Sequence, residues 1–388
     1  MKKSNRFLTV LSVALISITG LTSCLKDEDE TIGLPTPFTI GEIPNDYSAT
    51  INPTIVNPNA IIPNYQYEGE DEENGLVVYR FDMTGIMNPN TNEWMDLYGT
   101  GQSNQNVWVS LDDMPKGILV KNHTDDETIS HKFDLVFLVD NSGSMSEESD
   151  AVARDIIDWA NSLANSNIDI RFGCVGYSEF GYVNGGIDFT DHNGLADFLN
   201  YGTGTYRTQH FGGVNASTLQ NLASSYGNVW DECGVMALRF ANDYFTFRNG
   251  ANRIYVNFTD EPNQPNYNDN WSVEYLNPIK GNWTPQQGTV HTVFSESPDY
   301  FIHQPGYNEM PWLLSEYTGG TVLYASSYFT GVSLNDLPVT GAMQHSYSIY
   351  LTVPETLFDG QFHNLKLTVL SQDHEVRGEK DFLIKFEH

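Results

Sequence analysis

The sequence predicts an α/β protein with a doubly wound, mostly parallel sheet, flanked by a β-sandwich module built from N- and C-terminal strands. Three observations carry this. Strand and helix patterns alternate between residues 132 and 335. The strands there are apolar throughout, as strands covered on both faces are. The stretches on either side, 64–131 and 336–388, are short alternating runs separated by Gly, Asn, Asp and Pro.

In chain order, residues 1–24 read as a targeting segment. Lys2, Lys3 and Arg6 precede an apolar stretch from Phe7 to Leu21 that is too short to span a bilayer. It ends in Leu21-Thr22-Ser23-Cys24, which resembles a bacterial lipobox and implies a lipoprotein signal peptide with Cys24 lipidated; an ordinary signal with a chance cysteine is the alternative. Lys26-Asp27-Glu28-Asp29-Glu30 follows. It resembles the acidic export signal of Bacteroidetes lipoproteins, which implies a lipid-anchored protein displayed on the outer membrane surface; a solvated tail is the plainer reading. Residues 25–63, acidic and then rich in Pro and Asn, show no helical or strand period and predict an extended tether.

Within 64–131 the expected strands are Leu76 to Phe81, Trp94 to Tyr98, Val107 to Leu111 and Ile118 to Lys121. The C-terminal set is Tyr347 to Val353, His363 to Leu370 and Lys380 to Phe386, with a turn at Asp359-Gly360. Neither set is large alone. One sandwich interrupted by the α/β block is therefore favoured over two small modules. The block itself opens with a strand from Asp134 to Val139, then a helix carrying Val152, Ile156, Trp159, Ala160 and Leu163. Strands follow at Ile168 to Tyr177, Ile254 to Phe258, Val290 to Phe294 and Val322 to Tyr324. Helices are expected near Glu232 to Phe245 and Glu309 to Tyr317. In such sheets ligands bind at the carboxyl ends of the strands, where Asp140 and Asp260 fall.

The chain carries 19 Lys+Arg against 50 Asp+Glu. Loss of the signal would remove three basic residues and no acid. A field of that sign repels nucleic acid and attracts cations. Cys174 and Cys233 are too few for a disulfide framework and read as two separate buried thiols, with a pairing as the alternative.

Asp140, Ser142 and Ser144 lie at alternate positions on a tight turn after a buried strand, an oxygen set suited to a hard divalent cation. This D-x-S-x-S pattern, with Phe258-Thr259-Asp260 and Tyr317-Thr318-Gly319-Gly320 in order behind it, resembles von Willebrand factor A (VWA) domains over about half the chain. The resemblance implies a metal-ion-dependent adhesion site, MIDAS, in which Asp260 supplies a further acid. The threonine that many such domains add has no clear counterpart, although Thr203 and Thr205 are available. Instead Trp230-Asp231-Glu232-Cys233-Gly234 looks like the integrin β I-like domain, where a glutamate opening the helix reaches the metal. Glu232 takes that role by resemblance, with a plain helix-start acid as the alternative. Glu147 and Glu148 occupy the place of an acid pair serving an adjacent cation, or cap a helix. For a third, synergy-type site the loop before Glu232 is one residue short and lacks the proline, although Asn228 and Asp231 are near.

The expected cofactor is Mg²⁺, with Mn²⁺ or Ca²⁺ as substitutes, and the expected partner an extracellular protein or glycan offering a carboxylate. Tyr177, Phe180, Tyr182, Phe189, Tyr201, Tyr206 and Phe211 would divide between ligand anchors on loops and core packing. The ten histidines form no H-E-x-x-H or zinc spacing, and no G-x-S-x-G elbow occurs. The expectation is thus a surface adhesin or binding module, alternatively an accessory component of a fimbrial or glycan-uptake assembly, and not an enzyme.

Overall fold

The computed structural model describes residues 40–387 apart from 74–75, 123–130, 167, 179, 228, 230, 297–308 and 330–332. The signal segment, Cys24 and the acidic run therefore lie outside the described residues, as does Asn228. Among the described residues no helix is long and apolar enough to cross a membrane.

The strands are β1 (Tyr65–Glu73), β2 (Leu76–Met83), β3 (Val107–Leu111), β4 (Met114–Lys116), β5 (Leu119–Asn122), β6 (Lys132–Asp140), β7 (Asp169–Tyr177), β8 (Val183–Thr190), β9 (Phe211–Gly212), β10 (Asn252–Thr259), β11 (Thr289–Phe294), β12 (Val322–Tyr324), β13 (Tyr347–Pro354), β14 (His363–Leu370) and β15 (Arg377–Ile384). The α-helices are α1 (Ser149–Ala164), α2 (His192–Leu199), α3 (Ala216–Tyr226), α4 (Gly234–Tyr244), α5 (Leu313–Thr318) and α6 (Val339–Gln344).

Seven strands form the central sheet in the order β12-β11-β10-β6-β7-β8-β9. From β12 to β7 every pairing is parallel, and β8 runs antiparallel to β7. Alternation along β6 builds both cores. Leu135 and Phe137 pack with Ile156, Trp159 and Leu163 of α1 on one face, while Val136 and Leu138 pack with Val235, Leu238 and Phe240 of α4 on the other. This is the expected doubly wound, VWA-like architecture. Because the chain steps from β6 to β7 on one side and to β10 on the other, the strand order reverses at β6, and the crevice there lies between Asp140 and Asp260.

The flanking module is one sandwich. Its sheets, β1-β2-β13-β5 and β15-β14-β3-β4, each mix N- and C-terminal strands. The chain leaves at β5 and returns at β13, which pair directly through Tyr350 and Leu119. Tyr65 meets Phe81 at 5.2 Å and Phe382 at 4.7 Å between ring centroids, joining the two sheets edge to face.

Several expectations need correction. Trp94 to Tyr98 is no strand: Asn106 takes its backbone instead, accepting from the Tyr98 N–H at 2.8 Å and donating to the Asp96 carbonyl at 2.8 Å. The helix expected from Glu309 begins at Leu313, because Glu309 bridges to Asn263 and Pro311 precedes the first turn. The stretch 177–211, in which no strand or helix was expected, contains β8 and α2, and α3 follows it. Nor do residues 40–63 hang free. Asp46 accepts from Lys116 and the Gly117 N–H, Asn59 pairs with Arg377, and Ile62 is buried in the sandwich core.

Asp134 shows what fixes the basal end of β6. Fully buried, it accepts from Arg171 at 3.2 Å and from the Arg248 guanidinium and N–H at 2.9 and 2.7 Å. Asp134→Ala leaves two guanidinium groups without their shared partner and should cost ~3–5 kcal/mol in urea unfolding, whereas a loss under about 1 kcal/mol would refute this anchoring role.

Candidate functional site

The turn after β6 is built from its own side chains. Asp140, buried at the strand end, accepts the Ser142 N–H at 2.8 Å, an Asx turn that reverses the chain. Buried Met145 then pins the short 3₁₀ turn Ser144–Ser146, and Ser149 opens α1. Ser142 and Ser144 stand 2.9 Å apart, oxygen to oxygen, and Ser144 donates to Asp260 at 3.1 Å. Thr259, at the end of β10, donates to the second Asp140 oxygen at 2.9 Å and accepts from the Glu261 N–H at 3.1 Å. Asp140, Ser142, Ser144 and Asp260 thus converge in one oxygen-lined group.

A second carboxylate group adjoins it. Asp231, Glu232 and Glu261 each bring an oxygen to within 4.8 Å of one another. Gln264 holds two of them, donating to Glu232 at 3.1 Å and Glu261 at 2.9 Å. Glu232 is buried just ahead of α4 and feels the charge of Asp140. The sequence singled out Glu232 and missed Glu261, although the adjacent acids Asp260-Glu261 at a strand end were a usable signal.

The pair Glu147 and Glu148 is split. Glu147 is exposed, while Glu148 is buried and accepts from the Ser295 hydroxyl at 2.9 Å at the end of β11. Thr203 caps no helix through its side chain. It is Thr208, buried, whose hydroxyl reaches the site by donating to the Asn141 side chain. Glycine makes room for it: a Cβ at Gly185 would lie 1.7 Å from the Thr208 carbonyl, and one at Gly176 would lie 2.4 Å from it. Among the aromatics, Tyr177 is core, bonded to Asn257 at 3.0 Å, and Phe189 packs on Phe245 and Phe247. Phe180, Tyr182, Tyr201 and Tyr206 are exposed on the surrounding loops. So is Tyr267, displayed after Asn266 on two consecutive left-handed residues (φ 49° and 58°).

The electrostatics of the site follow from burial without a counter-charge. Among the described residues no Lys or Arg pairs with these carboxylates: Arg207 is held by Asp150, and Arg239 lies over Trp271 and Tyr275. Burial, then repulsion from Asp260, pushes Asp140 up to about 8. Burial pushes Glu148 up to about 7, with Asp260 adding to it. Glu232 is driven up by burial, its bond to Asp231 and the charge of Asp140. Asp260 and Glu261 are raised by burial too. Cys174 and Cys233 are both free and buried.

No family model and no curated protein matches the sequence. Many solved chains resemble the backbone, among them the following two. One is proximal thread matrix protein 1 from the mussel byssus with a zinc-occupied MIDAS motif, at 12% identity and TM-score 0.33, over 61% of this chain and 50% of that one. The other is the pilus adhesin SpaC from Lactobacillus rhamnosus GG in an open conformation, at 10% identity and TM-score 0.34, over 82% of this chain and 47% of that one. This chain thus spans about half the length of either.

Each raised carboxyl binds its proton more tightly folded than unfolded. The stability these groups contribute is complete below about pH 4 and is lost as pH rises through about 8. Melting with chelator present should therefore show Tm falling from about pH 5 to about pH 8. Mg²⁺ should restore more of it at the higher pH; an equal metal effect at both would contradict this account.

Proposed function

We propose that this chain is a VWA-type binding module that holds a divalent cation and uses it to capture a carboxylate on an extracellular protein or glycan. The observation that supports this best is the convergence of Asp140, Ser142, Ser144 and Asp260 with no protein cation among them in the described residues. The donor set is all oxygen, part anionic and part hydroxyl, and suits Mg²⁺, Mn²⁺ or Ca²⁺ rather than a soft metal. Asp140 and Asp260 would hold the ion with the two serines, and Glu232 would join from the adjoining group.

The ion supplies a local positive centre on an acidic molecule, which a carboxylate can approach. Thr259 fixes the Asp140 carboxylate, the Asn141–Thr208 contact holds the turn's flank, and Gln264 orients Glu232. The exposed rings of Phe180, Tyr182, Tyr201, Tyr206 and Tyr267 surround this face and offer flat contact area to a ligand. In this reading the protein performs no chemistry on its ligand. Cys24 anchors it by lipid in the outer membrane with the site outward.

Calorimetric titration with Mg²⁺, Mn²⁺ and Ca²⁺ should give saturable binding that Asp140→Ala weakens at least ~100-fold. Equal binding by the variant sinks the metal assignment. On glycan and matrix-protein arrays, capture should vanish with chelator and return with added cation. Chelator-insensitive capture would leave the ion without a role in recognition.

A further inference from the structure

A cavity of about 140 Å³ opens where the α/β block meets the sandwich. Its walls come from residues 59–63, the loop after β2, His291 of β11, the turn at Gly319 and the start of α6, and it shares no residue with the oxygen-lined centre. Ile61, Pro63, Met87, Pro338 and Ala342 make most of the lining apolar. Among the described residues no Asp, Glu, Lys or Arg lines it.

Trp94 is a fixed part of the wall. Its indole stacks on the His345 ring at 5.5 Å between centroids. Two glycines let the backbone close on it: a Cβ at Gly341 would lie 2.6 Å from the indole Nε1, and one at Gly85 would lie 2.9 Å from the ring.

His291 gives the cavity its buried polar point. It is 8% exposed, at the third position of β11. Its Nδ1 accepts the Thr321 N–H at 3.1 Å and lies 2.9 Å from the Thr321 hydroxyl. A backbone N–H can only donate, so Nδ1 carries a lone pair and the proton of the neutral ring sits on Nε2. Burial keeps the ring neutral by holding His291 down at about 4. Nε2–H makes no bond to the protein and is left to the cavity that His291 lines. Asn59 is spent elsewhere: its side chain donates to the Glu375 carbonyl at 2.7 Å and accepts the Arg377 N–H at 2.8 Å.

Cavities of roughly 150 Å³ hold one benzene-sized ring. Uncharged, mostly apolar walls exclude an ionised occupant. The indole favours a flat aromatic one, and a buried N–H without an acceptor favours one that bears oxygen. The Thr84 hydroxyl, also on the wall, can accept a proton from that oxygen. We propose that this cavity binds an uncharged phenol ring, its oxygen accepting from the His291 Nε2–H and its ring against Trp94. Free phenols and the tyrosine side chain of a partner share this chemistry.

NMR on the full chain tests this. Proton–nitrogen correlation spectra should show His291 as the Nε2–H tautomer, still neutral at about pH 6, and 4-methylphenol should shift its Nε2 resonance. Toluene, which lacks the oxygen, should bind about tenfold more weakly. The anion 4-methylbenzoate should not bind. His291→Asn keeps an acceptor for the Thr321 N–H, removes Nε2 and should weaken 4-methylphenol about tenfold. Ala342→Leu, which fills the cavity, should abolish binding, and Met114→Ala, an exposed apolar residue on β4, should leave it intact. Nα-acetyl-tyrosine amide separates the two sources: binding comparable to 4-methylphenol supports a partner's side chain, and no binding supports a free phenol. An Nδ1–H tautomer, equal binding of 4-methylphenol and toluene, or equal weakening by Met114→Ala overturns the proposal.

Discussion

The functional end of this molecule is governed by repulsion. Asp140, Asp260, Glu232, Glu261 and Glu148 are drawn into partly or fully buried positions around the ends of β6, β10 and β11, with no lysine or arginine paired to them among the described residues. Burying like charges together is among the costlier arrangements a fold can adopt. It persists here because the surrounding hydrogen bonds over-determine it. Thr259 and the Ser142 N–H donate to Asp140, Ser144 to Asp260, Ser295 to Glu148, and Gln264 to both Glu232 and Glu261, so each acid is held in place even where it is held at a cost.

The same constraint explains where the basic residues went. Arg171 and Arg248 neutralise Asp134 at the basal end of β6, Arg207 is drawn to Asp150 on α1, and Arg239 and Arg253 lie over rings. One strand therefore carries an acid at each end in opposite circumstances. Asp134 is compensated and structural; Asp140 is uncompensated and faces the crevice. Strand geometry alone would not distinguish them. The placement of arginine does.

Much of this was legible in the sequence. Apolar runs such as Phe133 to Val139, buried on both faces, announce parallel strands, and the 3.6-residue spacing from Val152 to Leu163 announces α1. Asp140, Ser142, Ser144 and Asp260 were readable because the first three sit in one short turn and the last ends a clear strand. What failed to show depends on contacts distant in sequence. β8 carries two adjacent glycines, of which Gly185 must admit the Thr208 backbone, so it lacks the apolar signal of a strand. Thr208 reaches Asn141 across 67 residues, and nothing local marks it apart from Thr203 or Thr205. Trp94 to Tyr98 alternates like a strand, yet Asn106 takes its backbone bonds.

The insertion of the α/β block into the sandwich has a mechanical consequence. Its flanking strands, β5 and β13, are hydrogen-bonded neighbours, so the chain leaves the sandwich and re-enters it at adjacent strands. A second seam joins the two parts. Asn64 donates to the Gly288 carbonyl at 2.8 Å and to the Thr289 hydroxyl at 3.1 Å, and Gln66 and Gln286 exchange bonds with the facing backbones. The strands that flank the block are paired with each other, and a row of amide hydrogen bonds lies beside them. Residues 40–63 extend the arrangement, latched to Lys116, Thr368 and Arg377 before β1 begins. These latches all fall on the sheet β15-β14-β3-β4, so the segment is fixed to one sheet of the sandwich before it enters β1 in the other. The block is thus bonded to the sandwich near the amino ends of β10 and β11, and the turn from Asp140 to Ser144 lies at the carboxyl end of β6.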